Sequence, residues 1–305
     1  MAIQEKGGGT FEGVKLVLCE NPLPPIDEAI AAAEAELPRS NFYTEAYSGP
    51  LRRLISSQLS VPERLVHINA GSELILRQLF GRFGQQVHLL SPTYSLFPEI
   101  ARRYTETRLL PEEEFAYDLS RLTIPKGTTM TVVVNPNNPN GGTFDMAPLP
   151  DLLERYPETR FLVDEAFIGL AGQSVVRLVG ECENLLVTRT LSKVYGLAGV
   201  RVGFAVGPER LIKEIYKVKL PFEPNMLAHD AAIAALEDDE FLAQTIETNR
   251  RNINTMRTAF DRLGLQYCNS VANFLLLILP SEDDAVAFND ACLERGLIVR
   301  HVAGF

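Results

Sequence analysis

The sequence has little that would cross a bilayer, hold a metal or grip a polyanion. No apolar run in its 305 residues reaches the roughly 18 that a membrane-spanning helix needs. Its four cysteines, Cys19, Cys182, Cys268 and Cys292, are scattered without a CxxC pair, which disfavours a disulfide framework or a zinc site and suits reduced thiols. The four histidines, His67, His88, His229 and His301, are equally dispersed, so no metal is expected. Positive charge is short: 29 Lys and Arg against 39 Asp and Glu give a net charge of −10, which argues against nucleic-acid binding. Several catalytic signatures are missing as well. Gly196, Gly199 and Gly203 are spaced GxxGxxxG rather than GxGxxG, Gly7–Thr10 is not followed by a P-loop lysine, and there is no GxSxG elbow. The opening Met1–Thr10 carries no apolar signal core, so it reads as a loose leader and a cytoplasmic location is the expectation.

What is present is a chain long enough for one large core and a smaller second domain. Apolar segments at Val87–Leu90, Met130–Val134, Phe161–Val163, Leu185–Thr188 and Val202–Val206 read as strands buried on both faces. Amphipathic segments at Glu73–Phe83, Ser95–Tyr104, Leu149–Tyr156 and Pro208–Val218 read as the helices beside them. That alternation predicts an α/β domain with a mainly parallel sheet. The ends differ: helices at Asp27–Leu37, Asp239–Leu263 and Glu282–Arg295 accompany strands at Phe274–Leu279 and Leu297–Arg300. The expected division is a large domain over 41–244 and a small α+β domain built from 1–40 and 245–305.

Ligands of open α/β sheets collect at the carboxyl ends of the strands. There the sequence delivers Asn135–Gly142 (NPNNPNGG), Asp164–Phe167 (DEAF) and Arg189–Lys193 (RTLSK). A lysine and an aspartate on one rim suit a pyridoxal cofactor: the amine forms a Schiff base with the aldehyde, and the carboxylate keeps the pyridine nitrogen protonated. An anionic phosphate tail needs hydroxyls, an arginine and a helix N-terminus. Thr190, Ser192 and Arg201 answer the first two needs, and Gly71–Ser72–Glu73 at the start of the Glu73–Phe83 helix answers the third.

Arg189–Phe204 (RTLSKVYGLAGVRVGF) resembles the lysine segment of the class I/II, fold type I aminotransferases, most closely that of the histidinol-phosphate aminotransferases. Glu20–Pro22 (ENP), Ala70–Glu73 (AGSE), Ser91–Tyr94 (SPTY), Asn138–Gly141 (NPNG), Val163–Ala166 (VDEA) and Ala272–Phe274 (ANF) extend the likeness, in the family's order, over nearly the whole chain. The resemblance implies pyridoxal 5'-phosphate as cofactor, an amino donor and a 2-oxo acid such as 2-oxoglutarate as small-molecule substrates, and a homodimer. It implies Lys193 as the Schiff-base lysine and proton carrier, Asp164 as partner of the pyridinium nitrogen, and Asn138 as donor to the ring's 3′ oxygen. Tyr94 would stack on the ring; Thr190, Ser192, Arg201 and the Gly71–Ser72–Glu73 turn would hold the phosphate. Tyr43 would reach the neighbouring subunit's phosphate, and Asn21 and Arg300 would lie on the substrate side. A decarboxylase of the threonine-phosphate decarboxylase type is the alternative within the same chemistry, and a weakly active cofactor-binding fragment is another.

Two departures qualify the likeness. Phe167 stands where the relatives usually carry tyrosine, so one donor to the 3′ oxygen is missing and the imine pKa is expected to be higher. The chain ends at Arg300–Phe305 (RHVAGF), before the strand that carries the family's carboxylate-binding arginine. The small domain is therefore expected to be truncated at its C-terminal part.

Overall fold

A computed structural model describes residues 13–110 and 115–302. The leader expected at Met1–Thr10 lies outside the described residues. In chain order the elements are β1 (Val14–Lys15), α1 (Asp27–Glu36), α2 (Gly49–Leu59), β2 (Val66–Asn69), α3 (Ser72–Phe83), β3 (Val87–Ser91) and α4 (Leu96–Ile100). Then come β4 (Tyr104–Arg108), β5 (Met130–Val134), α5 (Leu149–Arg155), β6 (Arg160–Asp164), β7 (Leu185–Thr190) and β8 (Gly203–Val206). The remainder is α6 (Glu209–Tyr216), α7 (Met226–Leu236), α8 (Asp239–Leu263), β9 (Gln266–Tyr267), β10 (Leu277–Ile278), α9 (Glu282–Glu294) and β11 (Leu297–Ile298).

Seven strands form one sheet in the order β2-β8-β7-β6-β5-β3-β4. Five pair parallel to one another or to a shared neighbour, while β8 runs antiparallel to both β7 and β2. The mainly parallel α/β sheet expected from the sequence is thus present. Alternation along the strands feeds two cores. Met130, Val132, Val134, Leu162 and Leu186 pack with α3 and α6, whereas Val133, Phe161, Val163, Leu185 and Val187 pack with α2, α5 and α7. A strand buried on both faces must be apolar at odd and even positions alike, which is why β5, β6 and β7 were visible as continuous apolar runs.

Several elements differ from expectation. The helix expected over Ser95–Tyr104 closes at Ile100, because Ala101 turns extended and Tyr104–Arg108 pairs with β3 as edge strand β4. The strand expected over Phe274–Leu279 contracts to β10, and that over Leu297–Arg300 to β11. β11 pairs with β1, which ties the two ends of the described chain together. From β1 the segment Leu16–Pro25 crosses to the lysine loop as a strap. The Asn21 amide donates to the Val194 carbonyl and to Thr245 Oγ1 of α8, both at 3.2 Å, and its oxygen accepts from Leu23 N–H. Among the described residues no helix is long and apolar enough to cross a membrane, and no group of three His, Cys, Asp or Glu could hold a metal.

Candidate active site

Asp164 is the last residue of β6 and is 3% exposed. Thr188 of β7, its register partner, donates its hydroxyl to Asp164 Oδ1 at 2.9 Å. Burial pushes the carboxyl up to about 6, against the pull of Thr188 and, further down, of Lys193. A carboxylate buried in this position would gain most from a cationic N–H brought to it.

Lys193 follows β7 by three residues. Its Nζ donates to the Leu18 carbonyl of the strap at 2.8 Å and lies 5.4 Å from the centre of the Phe167 ring. Burial holds its pKa below the usual lysine range, while the charges of Cys19, Glu20 and Asp164 pull it back up. Lys193 and Asp164 therefore share one rim, each within the other's field. A lowered pKa increases the neutral, nucleophilic fraction of the amine.

The turn before α3 meets Arg201 on the same rim. Gly71 has φ 84, and a Cβ there would overlap the Arg201 guanidinium; a Cβ on Gly203 would overlap the Ser72 backbone nitrogen. The two missing side chains leave the first amides of α3 and the guanidinium side by side, a cradle suited to an anion. Thr190 Oγ1 and Ser192 Oγ stand 2.9 Å apart beside it, and Arg201 is fixed by a bond from Nη1 to the Ala198 carbonyl. Glu73 spends its carboxylate on Arg77 one turn along α3 at 2.8 Å, so what it can offer an anion is its backbone. Gly203→Ala is expected to displace this turn, destabilise the protein by about 1–3 kcal/mol and weaken phosphate binding; thermal denaturation with and without cofactor measures both effects.

Asn138 is half-buried in the loop after β5, beside an anchored neighbour: Asn137 donates to the Pro92 carbonyl at 3.1 Å and to Asn140 at 2.8 Å. Tyr94 is half-buried edge-on to Phe97, with ring centroids 5.6 Å apart. Burial raises its hydroxyl pKa, with further contributions from Glu73 and Asp164, and Arg300 opposes them. Arg300 itself donates to Ser95 Oγ at 2.7 Å. Tyr43, by contrast, is 81% exposed and stacks on Phe222 at 4.4 Å. Within the described chain Lys193, Asp164, Tyr94, Arg201 and Arg300 thus act on one region, while Tyr43 faces outward and Asn21 secures the strap.

Some contributors were not legible as site residues. Leu18 acts through a backbone carbonyl, which no side-chain motif reports. Glu165, beside Asp164, has a side chain only 1% exposed that pairs with Arg189 at 2.9 Å and accepts from Ser174 Oγ and Val175 N–H. It ties the DEAF turn to β7. The adjacency of DE and RT in the two rim motifs was the available signal.

A pyridoxal phosphate fits these residues. The buried carboxyl with its raised pKa matches a pyridinium N–H, the perturbed amine matches an aldehyde, and the glycine-lined cradle with Arg201 matches a phosphate. Phe167 is buried against Phe274, with ring centroids 5.2 Å apart, and offers no donor. Phe167→Tyr is expected to lower the pH midpoint of the cofactor's absorbance change; a titration that leaves the midpoint unchanged or raised contradicts this.

The comparisons with known proteins agree with that chemistry. Residues 17–305 match the family described as aminotransferase class I and II. Histidinol-phosphate aminotransferase 2 of Dechloromonas aromatica is 33% identical over 301 residues, covering 94% of this chain and 84% of its own. The aspartate aminotransferase of Thermus thermophilus, solved with maleate, superposes with a TM-score of 0.81 at 25% identity, over 94% of this chain and 82% of that one. The histidinol-phosphate aminotransferase of Sinorhizobium meliloti, solved with pyridoxal 5'-phosphate, shares the fold with a TM-score of 0.83 at 20% identity, over 95% of this chain and 83% of that one. The chain therefore belongs to the class I and II aminotransferases, enzymes that work with pyridoxal phosphate.

Proposed function

We propose that the protein moves an amino group between an amino acid or amine and a 2-oxo acid, with histidinol phosphate the first donor to test, aromatic amino acids the next, and 2-oxoglutarate the acceptor. The observation that carries this reading is the buried Asp164 on the same rim as a desolvated Lys193 amine. The likeness to the Dechloromonas enzyme supports the choice of donor.

Bound at this rim, pyridoxal phosphate supplies a ring that accepts electron density from the substrate Cα. Lys193 would hold the cofactor through its amine, and the same amine would serve to move the proton at the substrate Cα. Asp164 keeps a proton on the pyridine nitrogen, and Thr188 holds the carboxylate in place for that task. Asn138 would supply a hydrogen-bond donor to the ring's oxygen substituent, and Tyr94 would supply an aromatic surface for the ring. Thr190, Ser192, Arg201 and the Gly71–Ser72–Glu73 turn hold the phosphate. Arg300, beside Tyr94 and the strap, attracts an anionic group of the substrate, and Asn21 places the strap over it.

The small domain is assigned to 1–40 and 245–305 and the cofactor domain to 41–244. The working unit is assigned as a cytoplasmic homodimer: Phe42, Tyr43, Tyr47, Leu220 and Phe222 form an exposed apolar surface that suits a second copy. Tyr43 would then reach the partner's phosphate.

Incubation of the cofactor-loaded protein with histidinol phosphate and 2-oxoglutarate is the test. Glutamate and the oxo product are expected. Carbon dioxide released from an amino-acid substrate would favour the decarboxylase instead, and a spectrum that no donor changes would favour a protein that only binds the cofactor.

A further inference from the structure

Behind the anion cradle lies a polar cluster in a place where polar groups are expensive to bury. His67 and Asn69 on β2 are both 0% exposed, and Gln78 on α3 is 9% exposed. Asn69 Oδ1 accepts from the Ala70 N–H at 2.8 Å, and Asn69 Nδ2 donates to Gln78 Oε1 at 3.1 Å. His67 Nε2 lies 3.2 Å from the same Gln78 oxygen. Burial lowers the His67 pKa to about 4, so the ring is neutral and carries one proton. Gln78 Oε1 can only accept, which puts that proton on Nε2. Nδ1 is then a bare acceptor, in keeping with its having no hydrogen-bond partner among the described residues. The opposite tautomer would set two acceptors against each other and bury an orphan donor.

We propose that Asn69 and Gln78, backed by His67, are positioning residues that hold the turn Ala70–Ser72 in its anion-accepting shape. The proposal rests on the pyridoxal phosphate reading of the site. Asn69 occupies two consecutive amides: its side chain takes the Ala70 N–H, and its carbonyl takes the Gly71 N–H at 2.8 Å. The first amides of α3 are left to face the cradle. Gln78 sits six residues into the same helix, so the bond from Asn69 makes the turn and the helix move as one body. On the far side the turn is pressed by Arg201 and Gly203. Buried amide groups tied this way are costly to leave unpaired, so the brace resists rearrangement of the turn.

The test compares pyridoxal 5'-phosphate with pyridoxal, which has the same ring and aldehyde but no phosphate. Dissociation constants for both are measured by absorbance on wild type, Asn69→Ala and Gln78→Met. Both variants are expected to bind pyridoxal phosphate about tenfold more weakly. Pyridoxal affinity and the pH midpoint of the bound cofactor's absorbance should stay within about twofold of wild type and at the same value respectively. Inorganic phosphate should also compete less well with pyridoxal phosphate in the variants. Equal weakening of both compounds, or no weakening of either, overturns the proposal, since a generally loosened core would not distinguish the phosphate. Gln78→Met keeps the side-chain volume and serves if Asn69→Ala does not fold. A wild-type protein that takes up neither compound would overturn the cofactor assignment itself, a separate outcome.

Discussion

Lys193→Ala is expected to lower amino-group transfer by at least about 10⁴-fold, because it removes two functions at once. A positioned proton carrier alone is worth roughly 10²–10⁴-fold, and the covalent attachment is lost with it. The fold should survive. Among the described residues the Lys193 amine donates to the Leu18 carbonyl and makes an ammonium–ring contact with Phe167, so truncation opens a small polar space. The measurement is turnover with a saturating donor, alongside the absorbance spectrum. Residual cofactor binding through the phosphate cradle with no borohydride-sensitive band is the expected signature. A variant that keeps more than a few per cent of wild-type turnover would contradict the role.

Asp164→Asn is expected to have the next largest effect. Asparagine keeps the shape and can still accept from Thr188, but it brings no negative charge to the ring nitrogen. Truncating one partner of a buried charged hydrogen bond costs about 2–5 kcal/mol, which corresponds to a turnover loss of about 30- to 4000-fold. The covalent link to Lys193 should still form. Without cofactor the sign reverses. The Asp164 carboxyl is raised to about 6 in the folded protein, above its value in an unfolded chain. Its contribution to stability is therefore fully present below about pH 4 and is lost as pH rises through about 6, by on the order of 3 kcal/mol. Cofactor-free Asp164→Asn should lack that pH step and exceed cofactor-free wild type in stability at pH 8. Denaturant unfolding of both apoproteins across pH 4–8 checks this, and an identical slope for the two would refute it.

The site was legible from the sequence to the extent that it rests on strand ends. β5, β6 and β7 are apolar on both faces because helices cover both, so the polar residues that end them stand out at once. Asp164, Asn138 and the RTLSK run were found that way, and the family likeness supplied their roles. β2 and β4 were less visible for physical reasons. β2, VHIN, carries His67 and Asn69 into a fully buried strand, where a local reading of polarity argues for a loop; their partner Gln78 lies a helix away. β4, YTETR, is a mostly exposed edge strand with no apolar face to give it a period. α7 is rich in alanine and nearly uniformly apolar, so its burial against α1 and α2 follows from packing rather than from an amphipathic pattern. The Leu18 carbonyl that meets Lys193 is a backbone atom carried in by the strap. Its arrival depends on Asn21 and on Asn273, which donates to the Cys19 carbonyl at 2.9 Å, and such contacts span the whole chain.

The central claim is that the amine of residue 193 is the group that bonds the cofactor aldehyde. Reduction of the pyridoxal-phosphate-loaded protein with borohydride, followed by proteolysis and mass spectrometry, tests it most directly. A single pyridoxyl adduct on the peptide containing Lys193 is the predicted result. An adduct confined to another lysine, or none on a protein that has bound the cofactor, would contradict it.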